Sequence, residues 1–342
     1  MNRIFNMGIV LSLSALALIA CTQDELTRED SFLPEPVPLT LVAGKSETVV
    51  VPGTRSPHEG TWNGGETVYV QIASSETYKD ENQIPWENIV PFKYSVAQDG
   101  QMTLIEGENV YWQKQDDIFY IRAWCPGTRT DYTEIPLINR TWSVPDNQST
   151  KEELMRGDFL YAYAALNFAP SGAGNVNFKH LMSKVVINLE DSEYLKGVSR
   201  EKVSVTLGYP IESPHSSPWR LQGKFERVSP YSGYYLKLDE DTWDSNTITP
   251  YLLAQPNEGK YASYAALVVP QSITLTNKYI QVTVGSATYK WKIHMDYRNT
   301  FVSGEQYTFN ITVDAKGLNV SVEESIGWNP NGASGDGSVV LP

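Results

Sequence analysis

Apolar and polar side chains alternate one for one over many short segments of the chain. The clearest case runs from Tyr307 to Val313, where Tyr, Phe, Ile and Val alternate with Thr, Asn and Thr. A period of two places successive side chains on opposite faces of a β-strand, and it does not suit a helix. Further strands are predicted on the same grounds at 68–72, 118–124, 185–189, 203–207, 280–284, 289–295 and 318–322.

Each of these segments has one apolar face, which a sheet needs when it packs on a second sheet and leaves its other face in water. The 24 glycines and 20 prolines supply frequent turns, and the 20 tyrosines, 10 phenylalanines and 9 tryptophans favour strands. The pattern predicts an all-β protein built from antiparallel β-sandwiches. A length of 342 residues suits two domains in tandem.

The chain divides into four segments. We predict a signal peptide at 1–20, a polar and proline-containing tether at 21–37, and β-sandwich domains at 38–170 and 171–342. The boundary between the two domains lies in 167–177, a segment rich in Gly, Pro and Ser. A short helix is predicted at Ser149 to Arg156, with Ser149 as its N-cap.

The N-terminus carries the features of an export signal. Arg3 precedes an apolar run at 8–20 (GIVLSLSALALIA), which is too short to span a bilayer comfortably. The run ends in Leu-Ile-Ala followed by Cys21, which resembles a lipobox, and we expect Cys21 to be diacylated. Two or more acyl chains would hold the protein at a membrane surface. An ordinary signal peptide followed by a chance cysteine is the alternative.

Composition argues against several functional classes. The net charge is −13 and the pI is near 4.8, so a nucleic-acid partner is not expected. Two cysteines and four scattered histidines do not support a metal site, and no cofactor motif is present. No catalytic motif is found either. Cys125, at the end of an apolar strand, is interpreted as a buried inert thiol.

The tryptophans suggest a second class of function, because exposed aromatic rings can stack on sugars. Six of them lie near predicted turns or strand ends, although packing in the core and within the sheets is the favoured interpretation. They are Trp62, Trp86, Trp112, Trp142, Trp219 and Trp243. A surface lipoprotein that binds glycans is therefore the alternative function. A β-sandwich hydrolase with a spatially close pair of carboxylates is a third hypothesis.

Several segments, in the right order, resemble the fimbrillin family, which comprises fimbrial subunits and fimbrillin-like lipoproteins of Bacteroidales. Thr54-Arg55 leads into an aromatic and a Gly-Gly pair, although Glu66 stands where the family usually has Asp. Gly304 to Val313 (GEQYTFNITV), followed by Trp328, matches the family's closing strands. The other matching segments are 62–70 (WNGGETVYV), 110–112 (VYW), 118–126 (IFYIRAWCP), 158–162 (DFLYA) and 178–185 (FKHLMSKV).

The resemblance implies two transthyretin-like β-sandwich domains, no enzymatic activity and a structural role on the cell surface. In members that polymerise, an Arg-specific protease cuts after an arginine that follows the first strand, and a strand from the next subunit fills the opened groove. By resemblance, Arg55 is the candidate processing site and Pro38 to Val51 the segment removed. A plain loop arginine is the alternative for Arg55. Any donor strand would lie within Gly317 to Pro342.

The predicted function is therefore a structural subunit or adhesin of a cell-surface fimbria. We expect lipid anchoring through Cys21 at the outer face of the outer membrane, where acidic residues such as Asp24 resemble a surface-export signal. The expected partners are other fimbrial subunits, by strand complementation. A host or bacterial surface ligand is a further expected partner if the chain is an adhesin.

Overall fold

The computed structural model describes residues 32–44, 62–78, 80–127, 129, 140–208, 219–227, 234–238, 247–273, 278–295, 299–323 and 325–327. Strands make up 56% of these residues and helices 6%, which confirms the all-β prediction. Only short helices interrupt the strands in this part of the chain. None of them is both long and apolar enough to cross a membrane.

Eleven strands of the described residues belong to the first half of the chain. Both strands predicted in this half are found, since 68–72 lies within β3 and 118–124 within β7. The strands are β1 Phe32–Pro38, β2 Thr40–Gly44, β3 Glu66–Ser74, β4 Phe92–Val96, β5 Gln101–Glu106, β6 Tyr111–Lys114, β7 Ile118–Cys125, β8 Thr141–Ser143, β9 Leu160–Asn167, β10 Ala173–Asn177 and β11 Lys179–His180. Two 3-10 turns, Glu81–Gln83 and Trp86–Asn88, lie between β3 and β4.

The described part of the second half contributes thirteen strands. They are β12 Ser183–Glu190, β13 Val203–Leu207, β14 Gln222–Arg227, β15 Tyr234–Leu238, β16 Tyr251–Leu252, β17 Lys260–Val268, β18 Gln271–Ser272, β19 Tyr279–Val284, β20 Ala287–Lys292, β21 Thr300–Phe301, β22 Glu305–Asp314, β23 Gly317–Val322 and β24 Ile326–Gly327. A 3-10 turn, Arg200–Lys202, precedes β13. The strand predicted at 289–295 ends at Lys292.

An eight-stranded sheet dominates the first half, in the order β10-β2-β5-β4-β3-β7-β9-β11. Its apolar face carries buried residues such as Leu41, Val70, Ile121 and Val176, and β1 pairs with β6 beside this core. The segment that sequence reasoning assigned to the domain boundary supplies β10. That strand pairs in parallel with β2, along the register Ala173↔Thr40 to Asn177↔Gly44.

A sandwich forms the second half. One sheet has the order β16-β17-β12-β22-β23, with β24 also paired to β22, and the other has the order β13-β19-β20. Ile187, Val205, Ile280 and Phe309 come from both sheets and are buried together in the core between them. The β12–β22 pairing is parallel, as is β2–β10, so these two ladders depart from the antiparallel pattern. The paired strands are far apart in the chain, and such long connections allow either parallel or antiparallel pairing.

A third cluster of buried residues joins the two halves. It brings Tyr69 and Trp124 of the first sheet together with Ala265 and Leu267 of β17. Strand β8 pairs with β14, so main-chain hydrogen bonds also cross between the halves. The two halves therefore share both apolar surface and a ladder of backbone hydrogen bonds.

Helix α1, Lys151–Arg156, confirms the short predicted helix, but its N-cap lies one residue later than expected. The N-cap is Thr150 and not Ser149, because the Glu153 backbone N–H donates to Thr150 Oγ1 at 3.2 Å. The spacing Thr-x-x-Glu is that of a capping box. Ser149 also has a glutamate three positions later, Glu152, so the sequence pattern alone does not distinguish the two candidates.

Candidate strand-exchange site

Strand β2 lies inside the eight-stranded sheet although it comes from the very start of the described residues. It runs parallel to β10 along five residue pairs and antiparallel to β5 along two, Leu41↔Met102 and Val42↔Gln101. A strand with partners on both sides has no free edge. Its position makes β2 a structural bridge between β10 and the rest of the sheet.

The side chains of this segment alternate between core and surface. Leu39 is 8% exposed, and Leu41 and Ala43 are fully buried in the core of the first half. Thr40 is exposed and Val42 is half-buried on the other face. Burying a leucine side chain contributes roughly 1.5–3 kcal/mol. The apolar run Leu39 to Val42 therefore holds β2 in place through the residues that point inward.

Main-chain hydrogen bonds fix the same segment at both ends. The Leu39 N–H donates to the Val110 carbonyl at 2.8 Å, and the Thr40 N–H donates to the Gly172 carbonyl at 3.0 Å. At the other end, the Ala43 N–H donates to the Gly100 carbonyl at 2.8 Å. Loss of β2 would leave these carbonyl groups without their present donors.

The groove that β1 and β2 occupy is called the slot below. Gly100 sets the width of this slot at the Ala43 end. Its φ is +89°, and a Cβ atom on this residue would lie 2.5 Å from the Ala43 carbonyl oxygen. Glycine alone accommodates both this backbone conformation and this close approach without strain. The turn between β4 and β5 is therefore shaped around the backbone of β2.

Strand β1 continues the same segment over a second part of the core, although its residues 32–37 belong to the predicted tether. It pairs with β6 through Val37↔Trp112 and Pro38↔Tyr111, so the prolines of this segment do not prevent pairing at its end. Trp112 is fully buried, and its indole Nε1 donates to the Gly172 carbonyl at 3.4 Å. The chain's own β1 and β2 therefore fill this slot through both main-chain pairing and side-chain burial, the two kinds of contact by which an extended strand is bound.

The two site residues named from the sequence lie outside the described residues. Cys21 and Arg55 both remain predictions, as do the signal peptide at 1–20 and the apolar run Val49 to Val51. Of the predicted donor region, Gly317 to Val322 forms β23 at an edge of the six-stranded sheet. Residues 328–342 are not described.

Sequence reasoning missed β10 as one wall of the slot. Ala173, Gly174 and Val176 do alternate in exposure, with Gly174 and Val176 buried. One apolar side chain, Val176, is too few to give a visible apolar period, and the surrounding Gly and Ser indicated a linker. The positive-φ glycine of the β4–β5 turn was also missed, since no pattern in the sequence marks which backbone approaches it.

The tryptophans that were candidates for sugar stacking mostly pack inside the protein. Trp86, Trp112, Trp142 and Trp219 are at most 3% exposed. Trp62 is half-buried, with its ring centroid 5.3 Å from that of Phe178. The sixth candidate, at position 243, lies outside the described residues. Four of the five candidates that the structure describes therefore have no face available to a sugar ring.

Cys125 is buried, as the sequence indicated, and burial raises the pKa of its thiol to about 12. A thiol with this pKa stays protonated at neutral pH and is a poor nucleophile. Among the described residues, no group of three or more His, Cys, Asp and Glu side chains is placed to hold a metal ion.

Comparisons with known proteins find one matching family model and several solved structures with a similar fold. A family model described as Fimbrillin-like matches residues 54–327. Among solved structures, a candidate cell adhesion protein from Bacteroides ovatus has a TM-score of 0.57 at 18% identity, covering 86% of this chain and 98% of that one. A candidate cell adhesion protein from Bacteroides uniformis has a TM-score of 0.56 at 16% identity, with the same coverage of both chains. No curated protein matches the chain.

Proposed function

The chain belongs to the fimbrillin-like family, and from this premise we propose that it is a structural subunit or adhesin of a cell-surface fimbria. In this proposal it has two β-sandwich domains in tandem and is exported as a lipoprotein through Cys21. It assembles by exchanging the β1–β2 segment for a strand of another subunit, and it has no catalytic role. The observation that carries the proposal is the position of β2, a core strand that precedes Arg55 in the chain.

A cut after Arg55 would break the covalent link between the segment that contains β1 and β2 and the rest of the chain. Afterwards only non-covalent contacts would hold the segment, mainly the burial of Leu39, Leu41 and Ala43 and the hydrogen bonds to Gly100 and Gly172. These contacts are sufficient to keep the segment bound in the slot while it is covalently tethered to β3. Once it is cut, release is favoured by dilution, whereas the tethered segment stays at high effective concentration.

The emptied slot would be a strong acceptor for another strand. It would expose unpaired carbonyl groups together with apolar core, and both are costly in water. An extended segment with apolar residues at alternate positions restores both in one step. A donor from 328–342, which contains Val339-Val340-Leu341, supplies such residues, while β23 is already paired with β22 in its own sheet.

Lipidation at Cys21 fits this scheme because it lies N-terminal to the processing site. The acyl chains would keep the unprocessed subunit at the membrane, and the cut after Arg55 would free it for assembly. Release from the membrane and polymerisation would then be controlled by one cleavage.

The proposal is tested by limited digestion of residues 22–342 with an Arg-specific protease, followed by mass analysis and size-exclusion chromatography. We expect a cut after Arg55, release of the fragment that contains β1 and β2, and ordered oligomers. The matched control is Arg55→Lys, which keeps the charge but is not a site for this protease. A chain that is cut at Arg55 and remains monomeric would contradict strand exchange, and so would oligomers formed equally by Arg55→Lys.

The alternative of a glycan-binding lipoprotein that uses exposed aromatic rings receives little support. Among the candidate tryptophans that the structure describes, Trp62 alone is not fully buried, and this side chain already packs on Phe178. We therefore favour the fimbrial function.

A further inference from the structure

Two tyrosine side chains of the second half meet at their hydroxyl groups. Tyr289 lies on β20, which is an edge strand of the three-stranded sheet, and Tyr194 lies in the connection between β12 and β13. The Tyr289 hydroxyl donates to the Tyr194 hydroxyl oxygen at 2.7 Å, although the two residues are 95 positions apart in the chain. The fold therefore brings two phenol groups from different elements to one point.

Packing against the core holds both rings in this arrangement. The ring centroids are 6.0 Å apart and the ring planes meet at 83°, which is the edge-to-face geometry that aromatic pairs favour. Both side chains pack against the core of the second half, and each is half-buried. The two rings are therefore positioned by the protein and still partly accessible from water.

The connection that carries Tyr194 is anchored to the six-stranded sheet. Leu195 is buried in the core, and its N–H donates to the Ser192 carbonyl at 3.1 Å. Ser192 Oγ donates to the Val313 carbonyl of β22 at 2.9 Å. Tyr289 belongs to the other sheet of the sandwich. A covalent bond between the two tyrosine rings would therefore tie the two sheets together.

We propose that Tyr194 and Tyr289 form a site of oxidative cross-linking, where a peroxidase with hydrogen peroxide joins the two rings as dityrosine. Each phenol loses one proton and one electron, and the unpaired electron of each phenoxyl radical is shared with the carbons ortho to the oxygen. One ortho carbon (Cε) of each ring then forms the new C–C bond, and the hydrogens of these two carbons move to the oxygens, which restores both phenols. Hydrogen peroxide takes up the two electrons and two protons and becomes two molecules of water.

The hydrogen bond favours this pair for a geometric reason. An ortho carbon is bonded to the carbon that carries the hydroxyl, so contact between two hydroxyls brings ortho carbons of both rings close together. Rotation of the two half-buried side chains supplies the further approach that the C–C bond requires. Reacting groups that a fold holds in proximity behave as if they were far more concentrated than in solution. Coupling is therefore expected within one chain rather than between two chains.

The test is treatment of the purified mature chain with a haem peroxidase and hydrogen peroxide at low protein concentration, followed by size-exclusion chromatography and tryptic peptide mapping of the monomer. We expect dityrosine fluorescence in the monomer and a joined peptide, in which 185–196 (VVINLEDSEYLK) is bonded to 279–290 (YIQVTVGSATYK) with the loss of two hydrogen atoms. The second peptide also contains Tyr279, so variants identify the reacting residue. Tyr289→Phe should reduce the joined peptide by about tenfold or more, whereas the matched control Tyr279→Phe should leave its yield unchanged.

Three results would overturn the proposal. The first is dityrosine found only in dimers of the chain, the second is a native monomer without the joined peptide, and the third is an equal yield of that peptide from Tyr289→Phe. The first two are read on the native chain, so a folding defect in a variant does not affect them.

The cross-linked monomer should also melt several degrees above the untreated chain, because a bond between distant positions restricts the unfolded chain. The same treatment of Tyr289→Phe should not raise its melting temperature. Equal melting temperatures for the cross-linked and untreated native chains would contradict a bond that ties the two sheets together.

Discussion

Lys278 is a buried ammonium group in the interior of the second half. Its Nζ donates to Gln271 Oε1 at 2.7 Å and lies 4.9 Å from the centre of the Trp219 ring. Burial lowers the pKa of Lys278 to about 7 from an ordinary value near 10.5, and the nearby charge of Arg220 acts in the same direction. At neutral pH this side chain therefore exchanges between its charged and neutral forms.

Replacing Lys278 with Met should stabilise the protein more at pH 6 than at pH 9. Between about pH 7 and 10.5 the unfolded chain binds more protons at this residue than the folded chain does. As the pH rises through this range, the free energy of unfolding of the native protein therefore increases by up to about 1.4 kcal/mol per pH unit because of Lys278. Below pH 7 the full destabilisation caused by burying the charged ammonium group is present. Chemical denaturation of both proteins at the two pH values measures the difference.

Lys292→Met is the control for this substitution, because Lys292 is exposed on β20. Its effect on the free energy of unfolding should be small and equal at pH 6 and pH 9. An equal effect of Lys278→Met at the two pH values would show that Lys278 does not titrate in this range.

Buried polar groups such as Lys278 illustrate what the sequence could not reveal at the level of single residues. Asp158 and His180 are also buried, and His180 Nδ1 lies 2.9 Å from Asp158 Oδ2. A charged residue next to a strand normally indicates a solvent-facing position. Burial here depends on partners such as Gln271, and those contacts are created by the tertiary fold.

Strand β2 should depend strongly on its inward-facing side chains. Leu41→Ala removes a fully buried leucine and should lower the free energy of unfolding by about 2–5 kcal/mol. Thr40→Ala, on the exposed face of the same strand, should cost less than about 1 kcal/mol. Denaturant unfolding of the uncut chain checks both values. Similar small costs for the two variants would contradict the burial of this face.

Strands were predictable where their alternating residues are large. Strands such as β7 and β22 carry aromatic and branched side chains on one face, and their positions follow from the sequence. Strand β10 (AGNVN) carries a single apolar side chain, Val176, on its buried face, so glycine and serine around it pointed to a linker. The slot around β2 could therefore be anticipated from the strand that fills it, but its β10 wall could not. Cys21 and Arg55 stay predictions from motifs.

Assembly of the whole molecule was harder to predict than its elements. Strand β8 pairs with β14, which follows it only after five other strands, and β10 joins the first sheet from within the predicted boundary segment. Pairings at such separation depend on which apolar faces meet, and many combinations share the same local pattern. A period of two predicts that strands exist, but it does not fix their order.

Gln148 should connect the stability of the two halves. This fully buried side chain donates from Nε2 to the carbonyls of Pro145 and Leu267, both at 2.9 Å, and its Oε1 accepts from the Leu267 N–H at 2.8 Å. Gln148→Ala leaves buried groups of Leu267 without these partners. We expect it to lower the free energy of unfolding by about 2–4 kcal/mol, since each unsatisfied buried group costs about 1–3 kcal/mol.

Because Trp124 and Leu267 share one core across the junction, the destabilisation caused by Gln148→Ala should extend to both halves. Hydrogen exchange measured by mass spectrometry should show reduced protection in β7 of the first sheet as well as in β12 of the second. Gln113→Ala, at an exposed position of β6, should leave protection in both strands unchanged. Reduced protection in β12 with β7 unaffected would show that the halves unfold independently. The shared core would then not couple the β2 slot to the second half.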